Sequence, residues 1–208
     1  MAELTQNDIE IIAQRIQAIA QTGLTYSSGV FDKERYQTLR EIAFEMLSSR
    51  FDLSVDTVAK MHIPDDGYAT PKTDVRAIVL REGKLLMVRE ADDGLWCLPG
   101  GWVDVGDSPS EAVCREVREE TGLLVKATKL LGIWDRNKYN HPPYPWHVYK
   151  TIFLCEELGG ELTTSYESLE VAFFDVNNLP ELSVMRIVKE EIAASIDIAL
   201  GDKQAWFD

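Results

Sequence analysis

The chain has 208 residues, 45% of them hydrophobic, enough for one globular domain of usual size and a smaller addition. Its 35 acidic against 21 basic side chains give a net charge of −14, which excludes a broad basic field for DNA and leaves RNA only a small local site. Three scattered cysteines, Cys97, Cys114 and Cys155, form neither a metal spacing nor a disulfide framework, as expected in a reducing compartment. The polar N-terminus lacks a signal-peptide core and no apolar run approaches a membrane span, so a cytoplasmic protein without a membrane partner is expected.

The first third reads as helical. Ile9, Ile12, Ile16 and Ile19 recur at three and four, predicting an amphipathic helix over 7–21, capped by Asn7 or Thr5 and stopped by Gly23. A second helix is expected over 32–49, with Tyr36, Leu39, Ala43, Met46 and Leu47 on one stripe, and a short third over 54–61. These helices cannot close a large core alone and must pack on the rest of the chain or on a second copy. The run from Pro64 through Gly67 to Pro71 is a linker, which divides the chain into a helical domain, 1–65, and a domain over 70–208.

Beyond the linker the period becomes that of strands. Val75–Leu80 and Lys84–Val88 flank Glu82-Gly83, a two-residue hairpin turn. Ser108 as N-cap, Pro109 at the first helical position, Glu111 for a capping box and Gly122 as stop define a helix. On it, Glu116, Glu119 and Glu120 share one face. Like charges at this spacing repel, and a solvated acidic face is the bland reading; a hard divalent cation such as Mg²⁺ or Mn²⁺ would reverse the repulsion. Arg115, four before Glu119, could hold that carboxylate. A strand over 125–134 leads to a long loop, 135–147, with three prolines, three aromatics and the histidines His141 and His147. Such loops are uncommon unless functional or mobile. Either its rings stack on a base while a histidine contacts phosphate or ribose, or they cover the core edge. A strand over 148–155, a Gly159-Gly160 turn, an apolar strand near Val171–Phe174 and a closing helix over 183–200 complete the chain. Val184, Ile187, Val188, Ile192, Ile196 and Ala199 should face inward on that helix.

Gly101, five residues, Asp107, seven residues, then Arg115-Glu116-Val117-Arg118-Glu119-Glu120-Thr121-Gly122-Leu123 resembles the Nudix box. One position departs: Asp107 stands where the family usually has Glu. The segment Arg15–Tyr26, followed by Glu34-Arg35-Tyr36, resembles the N-terminal extension of the Nudix subgroup acting on X-linked nucleoside diphosphates, where it helps build a homodimer. The resemblance implies an α/β fold, a Nudix α/β/α sandwich with a mixed sheet preceded by a small helical domain. It implies Mg²⁺ or Mn²⁺ held by Glu116, Glu119, Glu120 and the carbonyl of Gly101, with Arg115 orienting a carboxylate. A late acid, Glu167 first and Glu170 second, would act as general base, a role for which Glu120 is the other candidate, or as an additional metal ligand. Arg76, Arg89, His141 and His147 are the candidate substrate contacts; Arg76 alternates with apolar neighbours near the expected substrate mouth.

The implied activity is hydrolysis of the pyrophosphate bond in a small nucleotide conjugate of CDP-choline or ADP-ribose type, giving a nucleoside monophosphate and phospho-X. Triphosphate housecleaning and RNA-end trimming are the competing enzymatic readings. A noncatalytic nucleotide sensor is the reading from another class, and the complete glutamate set argues against it.

Overall fold

The computed structural model describes residues 5–63, 65 and 67–208, so Pro64 and Asp66 of the expected linker and the first four residues of the expected helical domain lie outside the described residues. By its internal contacts the chain divides into two compact units: the residues up to Lys72 together with Pro143–His147, and Thr73–Pro142 together with Val148–Asp208. The sequence placed 143–147 in the second domain; the five residues belong instead with the helices.

In the helical unit, α1 (Gln6–Tyr26), α2 (Val30–Phe51) and α3 (Val55–His62) match the three expected helices; α1 and α2 run longer, and α3 is shifted by one residue. Thr5 caps α1 through a full capping box with Asp8. Gly23 lies inside α1 instead of ending it: the Tyr36 ring rests on it so closely that a Cβ would come within 2.4 Å of the ring. The buried face of α1 is also not the isoleucine stripe. It is Glu10, Ala13, Gln14, Gln17, Ala20 and Gln21, whereas Ile9, Ile12 and Ile16 are half-buried and Ile19 is 57% exposed. Two alanines on the inner face admit close packing, and its polar groups are satisfied. Glu10 accepts from the Tyr144 N–H at 3.0 Å, Gln14 donates to the Tyr144 carbonyl at 2.8 Å, and Gln17 donates to Gln21 at 2.9 Å. The unit's core is Ala13, Phe44, Leu47 and Val58. The expected functional loop therefore contributes packing here: Trp146 lies against the rings of Tyr144 (5.4 Å) and His62 (6.0 Å), and His62 stacks on Phe44.

The second unit is a seven-stranded mixed sheet in the order β3-β2-β1-β5-β4-β7, with β6 also on β2. Its strands are β1 (Lys72–Arg81), β2 (Lys84–Glu90), β3 (Trp96–Cys97), β4 (Leu123–Asp135), β5 (Val148–Gly160), β6 (Ser168–Asp175) and β7 (Trp206–Phe207). The β1–β2 hairpin turns through Glu82 and Gly83, both with positive φ, as its two-residue connection requires. Gly159 and Gly160 do not turn the chain; they end β5, paired with Leu124 and Leu123. Helix α4 (Pro109–Thr121) covers one face of the sheet, with Ala112, Val113 and Val117 packed on Val75, Ala77, Val79 and Leu86. Helix α5 (Lys189–Leu200) covers the other, with Ile192 and Ile198 packed among Ile78, Leu85, Met87, Leu131, Trp134 and Ile152. This is the expected α/β/α layering.

Helix α5 starts six residues later than its apolar pattern suggests. Ser183 is tied back to the sheet instead: its N–H donates to the Trp96 carbonyl at 2.8 Å and its hydroxyl to Asp93 at 2.6 Å. Val188 then takes an extended conformation and caps the helix, so Val184 is left exposed while Ile187 and Val188 are buried. Among the described residues, no helix is long and apolar enough to cross a membrane.

Burial lowers the pKa of His62 from 6.5 to about 4, against a smaller upward pull from Asp65. Between those values the unfolded chain holds more protons, so the contribution is complete above pH 6.5 and is lost as pH falls toward 4. The loss should reach about 3 kcal/mol. Urea midpoints of the helical unit measured near neutrality and near pH 4 should fall much less in His62→Phe than in the wild type.

Candidate active site

Helix α4 forms as its sequence dictates. Ser108 and Glu111 close a capping box, Pro109 occupies the first turn, and Gly122 ends the helix with φ 74°. The acids stand in its C-terminal half, where the helix dipole disfavours negative charge. Arg115 gathers them: its Nε donates to Asp107 at 3.0 Å and its Nη1 to Glu116 at 2.8 Å and Glu119 at 3.2 Å, with Asp104 at 3.4 Å from Nη2. The shorter Asp107 thus still reaches the guanidinium.

Glu120 points elsewhere. It is 7% exposed, and its Oε2 accepts from the Gly100 N–H at 2.8 Å. Burial pushes its pKa up to about 8, although the Arg76 charge and the Gly100 hydrogen bond pull it down. Burial also raises Glu116, against the pull of Arg115. The turn from Leu98 to Gly101 is fastened along β1: the Ala77 N–H donates to the Pro99 carbonyl and the Val75 N–H to the Gly101 carbonyl, each at 2.9 Å. One lone pair of the Gly101 oxygen remains for another partner. A Cβ on Gly101 would come within 3.1 Å of every carboxyl atom of Glu116, so a larger residue would require this carboxylate to shift by a few tenths of an ångström.

Hard oxygens crowd this corner: two partly desolvated carboxylates, a third on the same helix face, and a backbone carbonyl. The donor set fits Mg²⁺ or Mn²⁺. Among the described residues, no three His, Cys, Asp or Glu side chains stand as a ready ion cage, because Glu116 and Glu119 converge on Arg115. Each of these two carboxylates bonds Arg115 through one oxygen and keeps the other for an ion.

The late acid lies on a tethered loop. The Ser168 hydroxyl donates to the Glu120 carbonyl at 3.1 Å, and the Glu167 carbonyl accepts from the Ala91 N–H at 2.9 Å. Glu167 itself is exposed. Its neighbour Tyr166 is 91% exposed, and a hydrogen bond to Glu167 raises its pKa. Glu170 pairs with Arg89 at 3.8 Å.

The four expected substrate contacts do not gather on an open surface. Arg76 is 6% exposed and spends its donors on Asp74, at 3.0 and 3.2 Å, and on the Leu98 carbonyl at 3.0 Å. Alternation misled here because β1 is buried on both faces, so the face opposite one core is a second core. His141 is enclosed between the Val184 carbonyl at 2.7 Å and Glu191 at 3.1 Å, where it ties its loop to the start of α5. Arg89 donates to the Gly94 carbonyl at 2.8 Å. His147 belongs to the helical unit, where its carbonyl accepts from the Lys72 N–H.

Two residues of this arrangement escaped sequence reasoning: Asp74 and Lys150. Lys150 lies in an alternating strand and is buried, with its ammonium 2.8 Å from Asp74. A lysine at a core position of a strand is the signal that an internal carboxylate must exist.

Known proteins carry the same features. The NUDIX domain pattern matches residues 70–196, and the pattern described as a UDP-X-like, N-terminal oligomerisation domain matches residues 7–61. A Bacillus subtilis protein with the provisional name ADP-ribose pyrophosphatase YjhB is 40% identical over 94% of this chain and 95% of its own. A crystal structure of a UDP-X diphosphatase is similar over 99% of this chain and all of its own, at 36% identity and a TM-score of 0.65. That of an ADP-ribose pyrophosphatase from Streptococcus suis matches 67% of this chain and all of its own, at 39% identity and a TM-score of 0.61.

Gly100 has φ 141°, and a Cβ there would lie 2.0 Å from the Val75 carbonyl oxygen. Gly100→Ala should therefore lose about 1–3 kcal/mol through backbone strain and lift its own N–H from Glu120. Thermal unfolding measures the first effect and amide exchange at residue 100 the second; a wild-type midpoint with a protected amide would contradict this close packing.

Proposed function

The chain belongs to the Nudix family and is a pyrophosphohydrolase, and from that premise we propose that it cleaves the pyrophosphate bond of a nucleoside diphosphate joined to a second group. ADP-ribose is the first substrate to try and CDP-choline the second. The observation that carries the reading is the set Glu116, Glu119 and Glu120 on one helix face, with the Gly100-Gly101 backbone laid against two of them. The names of the Bacillus and Streptococcus relatives support ADP-ribose.

Nudix hydrolases generally use divalent metal ions; Mg²⁺ or Mn²⁺ held by Glu116, Glu119, Glu120 and the Gly101 carbonyl would neutralise the diphosphate and acidify the attacking water. Arg115 serves the carboxylates: one guanidinium orients Asp107, Glu116 and Glu119 together, and the charge keeps three acids tolerable on one surface. Gly100 orients Glu120 through its N–H. A proton leaving the water needs an acceptor, and the two candidates are Glu120, shielded from solvent, and Glu167, exposed on its tethered loop. Arg89 and His147 are retained as substrate contacts only if a bound nucleotide brings them into reach.

We further propose a homodimer built through the helical unit. Its α1 turns a polar, alanine-containing face inward and leaves the isoleucine face partly open, with Ile19 57% exposed. Burying that face against a second copy would account for it. Light scattering at micromolar concentration should give the mass of two chains, and Ile16→Glu with Ile19→Glu should give the mass of one. A monomeric wild type would overturn the dimer without touching the chemistry.

The catalytic reading is tested by incubating the protein with ADP-ribose and Mg²⁺ or Mn²⁺ in ¹⁸O water and weighing the products. AMP and ribose 5-phosphate are expected, one of them carrying the label. Glu120→Gln should lower kcat by at least ~10²-fold, the scale of a lost positioned acid or base. Near-full activity of that variant after chelation and Mg²⁺ restoration would refute the role given to the glutamates.

A further inference from the structure

Arg76 has no open face toward a substrate, yet it touches the one stretch of backbone on which the glutamates depend. Both Asp74 oxygens hold the guanidinium from one side, at 3.0 and 3.2 Å. Its Nη1 then donates to the Leu98 carbonyl at 3.0 Å. Leu98 opens the turn Leu98-Pro99-Gly100-Gly101, whose Gly100 N–H reaches Glu120 at 2.8 Å and whose Gly101 lies within 3.1 Å of the Glu116 carboxylate, measured from the position of an added Cβ. Pro99 has no N–H, so this turn has one backbone donor fewer with which to fix itself.

We propose that Arg76 is a positioning residue for the metal-binding carboxylates, acting through the Leu98 carbonyl on the placement of Gly100 and Gly101. The proposal rests on the reading of Glu116 and Glu120 as metal ligands given above. Arginine suits the task where lysine does not. A planar fork binds two carboxylate oxygens and a carbonyl at once in one fixed geometry, whereas an ammonium is a point charge that must choose. Asp74 makes the burial tolerable by pairing the charge. The expected site residue and the observed buried residue are thus the same arginine, one layer behind the ligands instead of in front of them. Partners in that layer commonly govern metal affinity by factors of about 10 to 100.

The test is Mn²⁺ binding without substrate, read by electron paramagnetic resonance on the full chain. Wild type, Arg76→Lys and Arg76→Gln are compared with Leu131→Ala, a core variant of the same unit whose apolar side chain makes no hydrogen bond to Asp74, Arg76 or the Leu98 turn. Arg76→Lys and Arg76→Gln should each weaken Mn²⁺ binding roughly tenfold or more. They should also raise the Mn²⁺ needed for half-maximal turnover, with a much smaller change in substrate KM at saturating metal. Leu131→Ala should lose thermal stability and keep the wild-type Mn²⁺ affinity. Wild-type affinity in Arg76→Lys and Arg76→Gln overturns the proposal, as does an equal loss in Leu131→Ala. If neither Arg76 variant folds, Arg76 serves the fold alone and the proposal is likewise overturned. A wild type that binds no Mn²⁺ at all sinks the metal reading itself, a different outcome from any of these.

Discussion

Glu120 is held against the Gly100 N–H, nearly out of contact with water, and the geometry of the hydrolase unit follows from keeping it there. A carboxylate in such a place is expensive to ionise, as its raised pKa records. Its position near the C-terminal end of α4 adds the unfavourable end of the helix dipole. Neither penalty helps a helix fold. Among the described residues, no cationic side chain is hydrogen-bonded to Glu120; its partner is a backbone amide. The arrangement keeps a desolvated oxygen beside a glycine-lined surface, which is what a hard cation requires and a stable helix does not.

The parts legible in the sequence were those that local chemistry fixes. Ser108, Pro109, Glu111 and Gly122 set both ends of α4, so the shared face of Glu116, Glu119 and Glu120 followed from spacing alone. Glu82 and Gly83 gave the hairpin for the same reason: both take the left-handed conformation that its turn demands. The parts that were not legible depend on what arrives from elsewhere in the chain. Val184 to Val188 has an acceptable helical pattern, but hydrogen bonds from Ser183 to Trp96 and Asp93 outbid it. Arg76 alternates correctly with its neighbours, yet alternation cannot tell solvent from a second hydrophobic layer. His141 is a loop histidine by sequence and an enclosed ring in the structure, because Glu191, fifty residues on, accepts it.

The helical unit shows the same limit from the other side. Its isoleucines repeat with a helical period and read as an inner face, but Glu10, Gln14 and Gln17 take the inside. Polar residues can be buried when each finds a partner, and Tyr144 supplies an N–H and a carbonyl to two of them. No periodicity argument could anticipate a partner 130 residues away. Once the segment 143–147 is counted with the helices, Tyr144 and Trp146 are explained as part of their packing.

Charge compensation joins the remaining pieces. Asp74 meets both Arg76 and Lys150, so these three groups together carry one positive charge more than negative. That surplus acts on Glu120, whose pKa the Arg76 charge pulls down against the burial that raises it. Burial also pushes Asp74 upward, yet its two cations outweigh the effect and keep it ionised. Asp74 is thus paired directly by two cations, whereas Glu120 feels the Arg76 charge without a direct ion pair and stays costly to ionise. A salt bridge to Glu120 would have neutralised the site and closed it. Compensation from behind the Leu98 turn lowers the penalty and leaves Glu120 without a directly bound cationic side chain.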